Sequence, residues 1–300
     1  MNRKLILPFL ALTLALVACG LPASPSATPT PSPIPPVVPS AVPALTLQAL
    51  RNASYYAPFY QKTVTLADGK YSEGSGANGY TVTLLDAYAL GDLNGDGIDD
   101  AAVLLAENGG GSGVFESLVL VLDVNGAPQQ AGQAELGDRV LVNSVSIASG
   151  AASLDMVVQG PNDPMCCPSL PETQTYRLVG NAAWLTRQTS KASDGTLRSV
   201  DIQSPADGAS VTNPFTVNGT VSVAPFENTL AVRIYLPDGT KVNESPLTVN
   251  AAQPGGPGTF SRDFDLSNAG ITGTVIVQFL DLSAADGTTL DMDSRVLTIH

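Results

Sequence analysis

The sequence predicts a mainly all-β protein: an antiparallel β meander or small barrel, followed by a β-sandwich. Three observations carry that prediction. Gly and Pro number 28 and 23 of 300 residues while only 14% are charged, a composition that breaks helices and supplies turns. Apolar residues alternate with period two through many short runs. Asn-Gly and Asp-Gly pairs, the favoured chemistry of tight hairpins, recur between those runs.

The chain opens with a basic n-region containing Arg3 and Lys4 and an apolar run from Leu5 to Ala18, too short for an ordinary membrane span. Residues 1–18 are therefore expected to be a signal peptide. The end of this leader, Leu16-Val17-Ala18-Cys19, resembles the lipobox of bacterial lipoproteins. That resemblance implies processing before Cys19, an acyl (palmitate-type) anchor on its thiol, and an extracytoplasmic protein tethered to the membrane of the cell envelope. Residues 19–44 hold the lipidated Cys and a Pro/Ser/Thr-rich linker with Pro at nine of the 24 positions from Leu21. Such a segment favours polyproline II and spans roughly 74 Å when stretched, which makes it a spacer.

The first folded module is expected over residues 45–190. A short helix is expected around LTLQALRN, and strands in YTVTLLDAYAL, AAVLLA, VFESLVLVLDV, RVLVNSVSIA, ASLDMVV and TYRLVG. AAVLLA and LVLVL are apolar at every position, so these strands should be covered on both faces.

The second module is expected over residues 197–300, after the linker-like KASDGTLR, and should fold on its own. Seven strand candidates, SVDIQSP, FTVNGTVSV, TLAVRIYL, KVNESPLTV, TFSRDFDL, GTVIVQFLDL and SRVLTIH, fall at the spacing of an immunoglobulin-like β-sandwich. With no Cys in this stretch its core must be apolar. The segments IQSPADGASVTNPFTVNGTVSV, VRIYLPDGT, GGPGTFSRDFDL and SAADGTTLDMDSRVLTI resemble the immunoglobulin-like domain of bacterial spore germination proteins. The resemblance covers most of residues 200–300 and implies a fold and an extracytoplasmic setting, with no catalytic residues to carry over.

One motif carries metal chemistry. In GDLNGDGIDD, residues 91–100, Asp92, Asn94 and Asp96 occupy positions 1, 3 and 5 of a tight loop, with Gly97 at position 6. The carbonyl of Ile98 stands at 7 and Asp100 at 9, the positions from which calcium loops gather oxygens. Position 12 is Val103 where a helix–loop–helix site needs Glu, and the flanks read as strands. The loop therefore resembles the FG-GAP type found in integrin propeller blades, and implies a structural calcium ion. One copy cannot build a propeller. A plain Asx-rich turn is the competing reading. Joined to this loop, the tract LGDRVLVNSVSIASGAASLDMVVQGPNDPMCCPS resembles an uncharacterised module of bacterial lipoproteins.

Cys166 and Cys167 are adjacent in a Pro-rich loop. They are expected to close a vicinal disulfide ring, although Cα atoms 3.8 Å apart are short for a bridge; buried free thiols or a redox or metal role are the alternatives. The run from Asn108 to Gly113 has the glycines of a phosphate cradle without the Lys-Ser/Thr that would complete one, so a hairpin loop is expected. Trp184, the only Trp, is expected in the core rather than as a sugar platform.

Function is bounded by charge and by His. Fourteen basic against 27 acidic side chains, for a net charge of −13, exclude a nucleic-acid binder. A single His at position 300 leaves no His-based triad or multi-His metal site. The expected function is a non-catalytic binding or structural role at the envelope, toward an envelope protein or glycan. The alternative is a carboxylate-dependent hydrolase of cell-wall or extracellular glycan, recognisable by two acids ~5 to 9.5 Å apart in a concave pocket.

Overall fold

The computed structural model describes residues 44–160, 162–192 and 194–300. The expected leader, Cys19 and the expected linker up to Pro43 lie outside the described residues. Among the described residues no helix is long and apolar enough to cross a membrane.

The chain enters the first module through α1 (Leu47–Arg51), capped by Thr46, whose Oγ1 accepts from the Ala49 N–H at 3.1 Å. A hairpin follows, β1 (Ser54–Ala57) and β2 (Lys62–Thr65). Five strands then run in meander order: β3 (Lys70–Glu73), β4 (Tyr80–Gly91), β5 (Asp100–Asn108), β6 (Phe115–Val124) and β7 (Ala127–Asp138). Four more continue the meander as a second sheet: β8 (Leu141–Ala148), β9 (Ala151–Val158), β10 (Leu170–Val179) and β11 (Ala182–Lys191). The open meander, and not the barrel, is realised. At the β6–β7 turn Asn125 and Gly126 both have positive φ, the primed geometry that matches strand twist and that Asn-Gly tolerates best.

The middle of the five-stranded sheet, β5 and β6, is buried on both faces, as its apolar runs require. Ala101, Val103 and Leu105 of β5 face a core made with Leu50 of α1 and with Tyr55 and Val64 of the β1–β2 hairpin. Ala102 and Leu104 face the opposite core, shared with Leu154, Met156 and Tyr176 of the second sheet. All five β5 side chains are fully buried. The neighbouring β6 is equally enclosed, with Leu118, Val119, Leu120 and Val121 fully buried, so the two strands together carry apolar burial on both sides of the sheet.

The second module is a sandwich. One sheet contains β13 (Val200–Ser204), β15 (Phe215–Val221), β18 (Asn250–Ala251) and β19 (Gly258–Phe264). The other contains β16 (Thr229–Tyr235), β17 (Lys241–Thr248), β20 (Gly273–Leu282) and β21 (Thr289–Ile299), with the short β14 (Ser210–Val211) added in parallel to β21. Between them lies an apolar core that includes Val217, Val232, Val277 and Leu297, with Phe260 stacked on Phe279 at 4.9 Å between ring centroids.

The two modules are less separate than the linker predicts. Part of KASDGTLR forms β12 (Leu197–Arg198), which turns back to pair with β11. Strand β11 also pairs antiparallel with β21, Arg187 opposite Asp293 and Gln188 opposite Met292. One sheet therefore runs β17-β16-β20-β21-β11-β10-β9-β8 through both modules. Trp184 of β11 packs against Tyr235 of β16 at 5.4 Å, placing the only Trp at the junction.

Candidate functional site

The acidic loop between β4 and β5 is organised by its own backbone. Asp92 accepts hydrogen bonds from the N–H groups of Asn94 (3.2 Å), Gly95 (2.6 Å) and Gly97 (2.9 Å). The bonds from Gly97 and Gly95 hold its carboxyl below the usual carboxylate range. Asn94 Oδ1 accepts from Asp96 N at 2.9 Å, Asn94 Nδ2 donates to Asp96 Oδ2 at 2.9 Å, and Asp96 Oδ1 accepts from Ile98 N at 2.8 Å. Gly95 and Gly97 adopt φ of +83° and +82°, which side-chain-bearing residues rarely do, so the glycines permit the tight turn. Leu93 is buried in the core between the sheets and anchors the loop.

Asp100 is different. It is fully buried, its Oδ2 accepts from Leu93 N and its Oδ1 from Asp123 N, each at 2.9 Å. It straps the loop to the end of β6, and burial pushes its carboxyl up. The side-chain oxygens of Asp92, Asn94, Asp96 and Asp100 and the Ile98 carbonyl are the ligand type a hard cation requires, with Asp92 Oδ1 already accepting from two backbone N–H groups. Among the described residues no three Asp, Glu, His or Cys side chains gather as a metal-holding group. One feature here was invisible in the linear sequence. Arg177, paired with Asp207 at 3.0 Å, lines the same open cleft as Asp92 and Asn94, and so brings a cation near the acids.

A wider cleft of about 790 Å³ opens between the β1–β2 hairpin, β7 and the β10–β11 turn. Its polar lining is rich in amides, with Gln129, Gln130, Gln133 and Asn181, beside Tyr56, which is 41% exposed. The amides are pre-oriented: Gln130 Oε1 accepts from Tyr56 N (2.8 Å), Gln130 Nε2 donates to Gln133 Oε1 (2.9 Å), and Gln133 Nε2 donates to Ser117 Oγ (3.0 Å). Gly132 at its floor is required by close approach, since a Cβ there would lie 2.7 Å from Ala183 N. Phe59 and Tyr60 at the hairpin tip are also exposed. This aromatic, amide-rich segment escaped the sequence reading; the run Tyr55-Tyr56-Ala57-Pro58-Phe59-Tyr60 was the signal that could have found it.

Beside it, Glu107, Glu116 and Glu135 line a cavity of about 60 Å³. Burial, then the charge of Asp138, pushes Glu116 up to about 7, and Glu107 accepts from the Tyr80 hydroxyl at 3.0 Å. That space suits water and is far smaller than a sugar ring.

The remaining sequence signals are placed plainly. Cys166 and Cys167 are joined by a disulfide, with Cα atoms 3.7 Å apart. Their loop is held by Asp163, which accepts from Gly160 N (2.8 Å) and Ser169 N (2.7 Å), and by Arg139 Nη1 donating to Met165 O at 2.5 Å. In the Gly-rich run, Asn108 Nδ2 donates to Gly111 O (3.0 Å) and Gly113 O (2.7 Å), closing a loop between β5 and β6.

No curated protein matches the chain. The family match stops before β21, the strand that completes the sandwich and joins it to β11. Residues 199–288 match the model of the immunoglobulin-like domain of bacterial spore germination, and the second module is an immunoglobulin-like domain of that type.

Proposed function

We propose that this chain is a lipid-anchored, extracytoplasmic envelope protein with a non-catalytic binding role, and that its first module takes a neutral glycan in the cleft beside Tyr56. The lipobox-like Leu16-Val17-Ala18-Cys19 and the Pro-rich spacer support the anchor, and the immunoglobulin-like module supports a binding or structural role. The cleft carries the ligand assignment. Pre-oriented amides offer paired donors and acceptors to vicinal hydroxyls, and an exposed aromatic ring offers a face to sugar C–H groups. No Lys or Arg is among the residues lining it, and the chain is acidic, so a polyanion is disfavoured.

Purified folded chain should be retained on insoluble neutral cell-wall glycan. Tyr56→Ala and Gln133→Ala should each weaken retention at least tenfold while leaving the melting temperature within a few degrees, and equal retention of both variants would sink the assignment. Release of reducing ends during the same incubation would instead favour the hydrolase. For the anchor, intact mass of membrane-fraction protein should show a diacylglyceryl group on Cys19. Cys19→Ser should remain unprocessed or unanchored.

We also propose that Asp92, Asn94, Asp96, the Ile98 carbonyl and Asp100 hold a structural calcium ion that neutralises the loop. A weak extracellular-class site suffices there.

A further inference from the structure

The junction between the modules contains a pair of carboxyl groups with no visible partner for one oxygen each. Asp281 of β20 and Asp291 of β21 stand directly opposite in the register, and each is only 1% exposed. Asp281 Oδ1 and Asp291 Oδ2 are both buried without a hydrogen bond. Directly opposed side chains of an antiparallel pair have Cβ atoms roughly 4.5–5.5 Å apart, so the two carboxyl groups can reach each other. Two bare carboxylates at that spacing would repel and leave both acceptors unsatisfied. One proton between them removes the repulsion and satisfies both orphaned atoms.

The surrounding charges point the same way. Arg198 of β12 donates to Asp281 Oδ2 at 3.2 Å. Arg187 of β11 reaches Asp201 of β13 at 2.5 Å and Asp293 of β21 at 3.7 Å, and Arg295 of β21 reaches Asp293 at 2.9 Å. Four carboxyl groups thus share this junction with three guanidiniums, and one proton brings the group to neutrality. Burial pushes Asp281 up to about 6 against the opposing pull of Arg198, so Asp281 is the member that ionises first as pH rises.

We propose that Asp281 and Asp291 share a single proton held by Asp291, and that losing it as pH rises loosens the junction between the two modules. Burial, then the charge of Asp281, pushes Asp291 up to about 8. A folded-state value above the unfolded one means stabilisation that is complete below the unfolded carboxylate pKa of about 3.9 and lost as pH climbs through the folded value. Arg198 belongs to the connecting segment, so the proton controls the clasp between that segment and β20.

Trp184, packed on Tyr235 across the junction, is a built-in reporter. In the full chain, infrared difference spectra should show a protonated-carboxyl C=O band at about pH 6 that titrates away toward about pH 9. Trp184 emission should shift to the red over the same range. Asp291→Asn should lose that component of the band and the Trp184 shift. Asp281→Asn removes the repelling neighbour, and Asp291 should then titrate at least tenfold more acidic. Persistence of the Trp184 shift in a folded Asp291→Asn chain would overturn the proposal. So would an Asp291 titration unmoved by Asp281→Asn, or, should neither variant fold, a wild-type chain with no protonated-carboxyl band near pH 6.

Discussion

The loop from Asp92 to Asp100 and the junction around Asp281 and Asp291 are both crowded with aspartates, yet their carboxyl groups live under opposite physics. In the loop, Asp92 points its oxygens at backbone N–H groups near solvent, and those donors favour the ionised form. At the junction Asp291 is removed from water and faces another carboxyl, so the neutral form is favoured. Asp100 stands between the two cases, hydrogen-bonded like the loop and buried like the junction, and burial decides its direction. Desolvation thus outweighs two good hydrogen bonds once a carboxyl is fully enclosed.

That ordering can be tested. The largest loss should come from Asp100→Ala, which leaves the N–H groups of Leu93 and Asp123 without their acceptor in a closed site, at a cost of about 3 kcal/mol. Urea unfolding of the full chain measures it, and a loss below that of an exposed Asp would break the distinction between strap and loop. Asp281→Ala comes next, about 2 kcal/mol, because Arg198 loses its acceptor but is itself partly solvated. Below these lie the ion-dependent effects. Chelator should lower the melting temperature of wild type, and Asp92→Ala should abolish the gain from millimolar calcium; identical melting curves with chelator and calcium leave the loop a plain turn. The smallest change belongs to Asp99→Ala, exposed and outside the donor set, within about 0.5 kcal/mol.

The pH profile sharpens the contrast. Asp92, held low, contributes stability above the unfolded carboxylate value that disappears as pH falls through its folded value. Asp291 contributes on the acid side and loses its contribution as pH rises through about 8. Stability of the full chain should therefore decline at both ends. Asp291→Asn should flatten only the alkaline limb.

Much of this architecture was legible in the sequence because apolar strands announce themselves. The runs assigned to β4, β5, β6 and β20 appear where expected, and the doubly apolar β5 is doubly covered. Among the strands that no apolar run announces, β1, β2, β3 and β7 are short or polar. APQQAGQAELGD of β7 carries too little apolar alternation to signal a strand, and its pairing with β6 comes from the backbone and the Asn-Gly turn. The β11–β21 pairing joins residues about a hundred positions apart, beyond any local pattern. One clue to the junction was present: Val275, Val277 and Phe279 alternate onto the core face, and continuing that alternation places Asp281 inward.

The strand that is apolar at every position has a further consequence. Slipping an alternating strand by one residue exposes its apolar face, and that cost keeps its register. Sliding β5 by one residue would exchange one greasy face for another, so hydrophobicity scarcely opposes it. What opposes it are the acids at its ends: Asp100 clasps Leu93 and Asp123, and seven residues on, Glu107 takes the Tyr80 hydroxyl. Displacing either group breaks buried hydrogen bonds that the shifted strand could not remake. The buried acids therefore act as alignment keys, and replacing both Asp100 and Glu107 with apolar residues would leave a strand well suited to burial but free to choose the wrong neighbour.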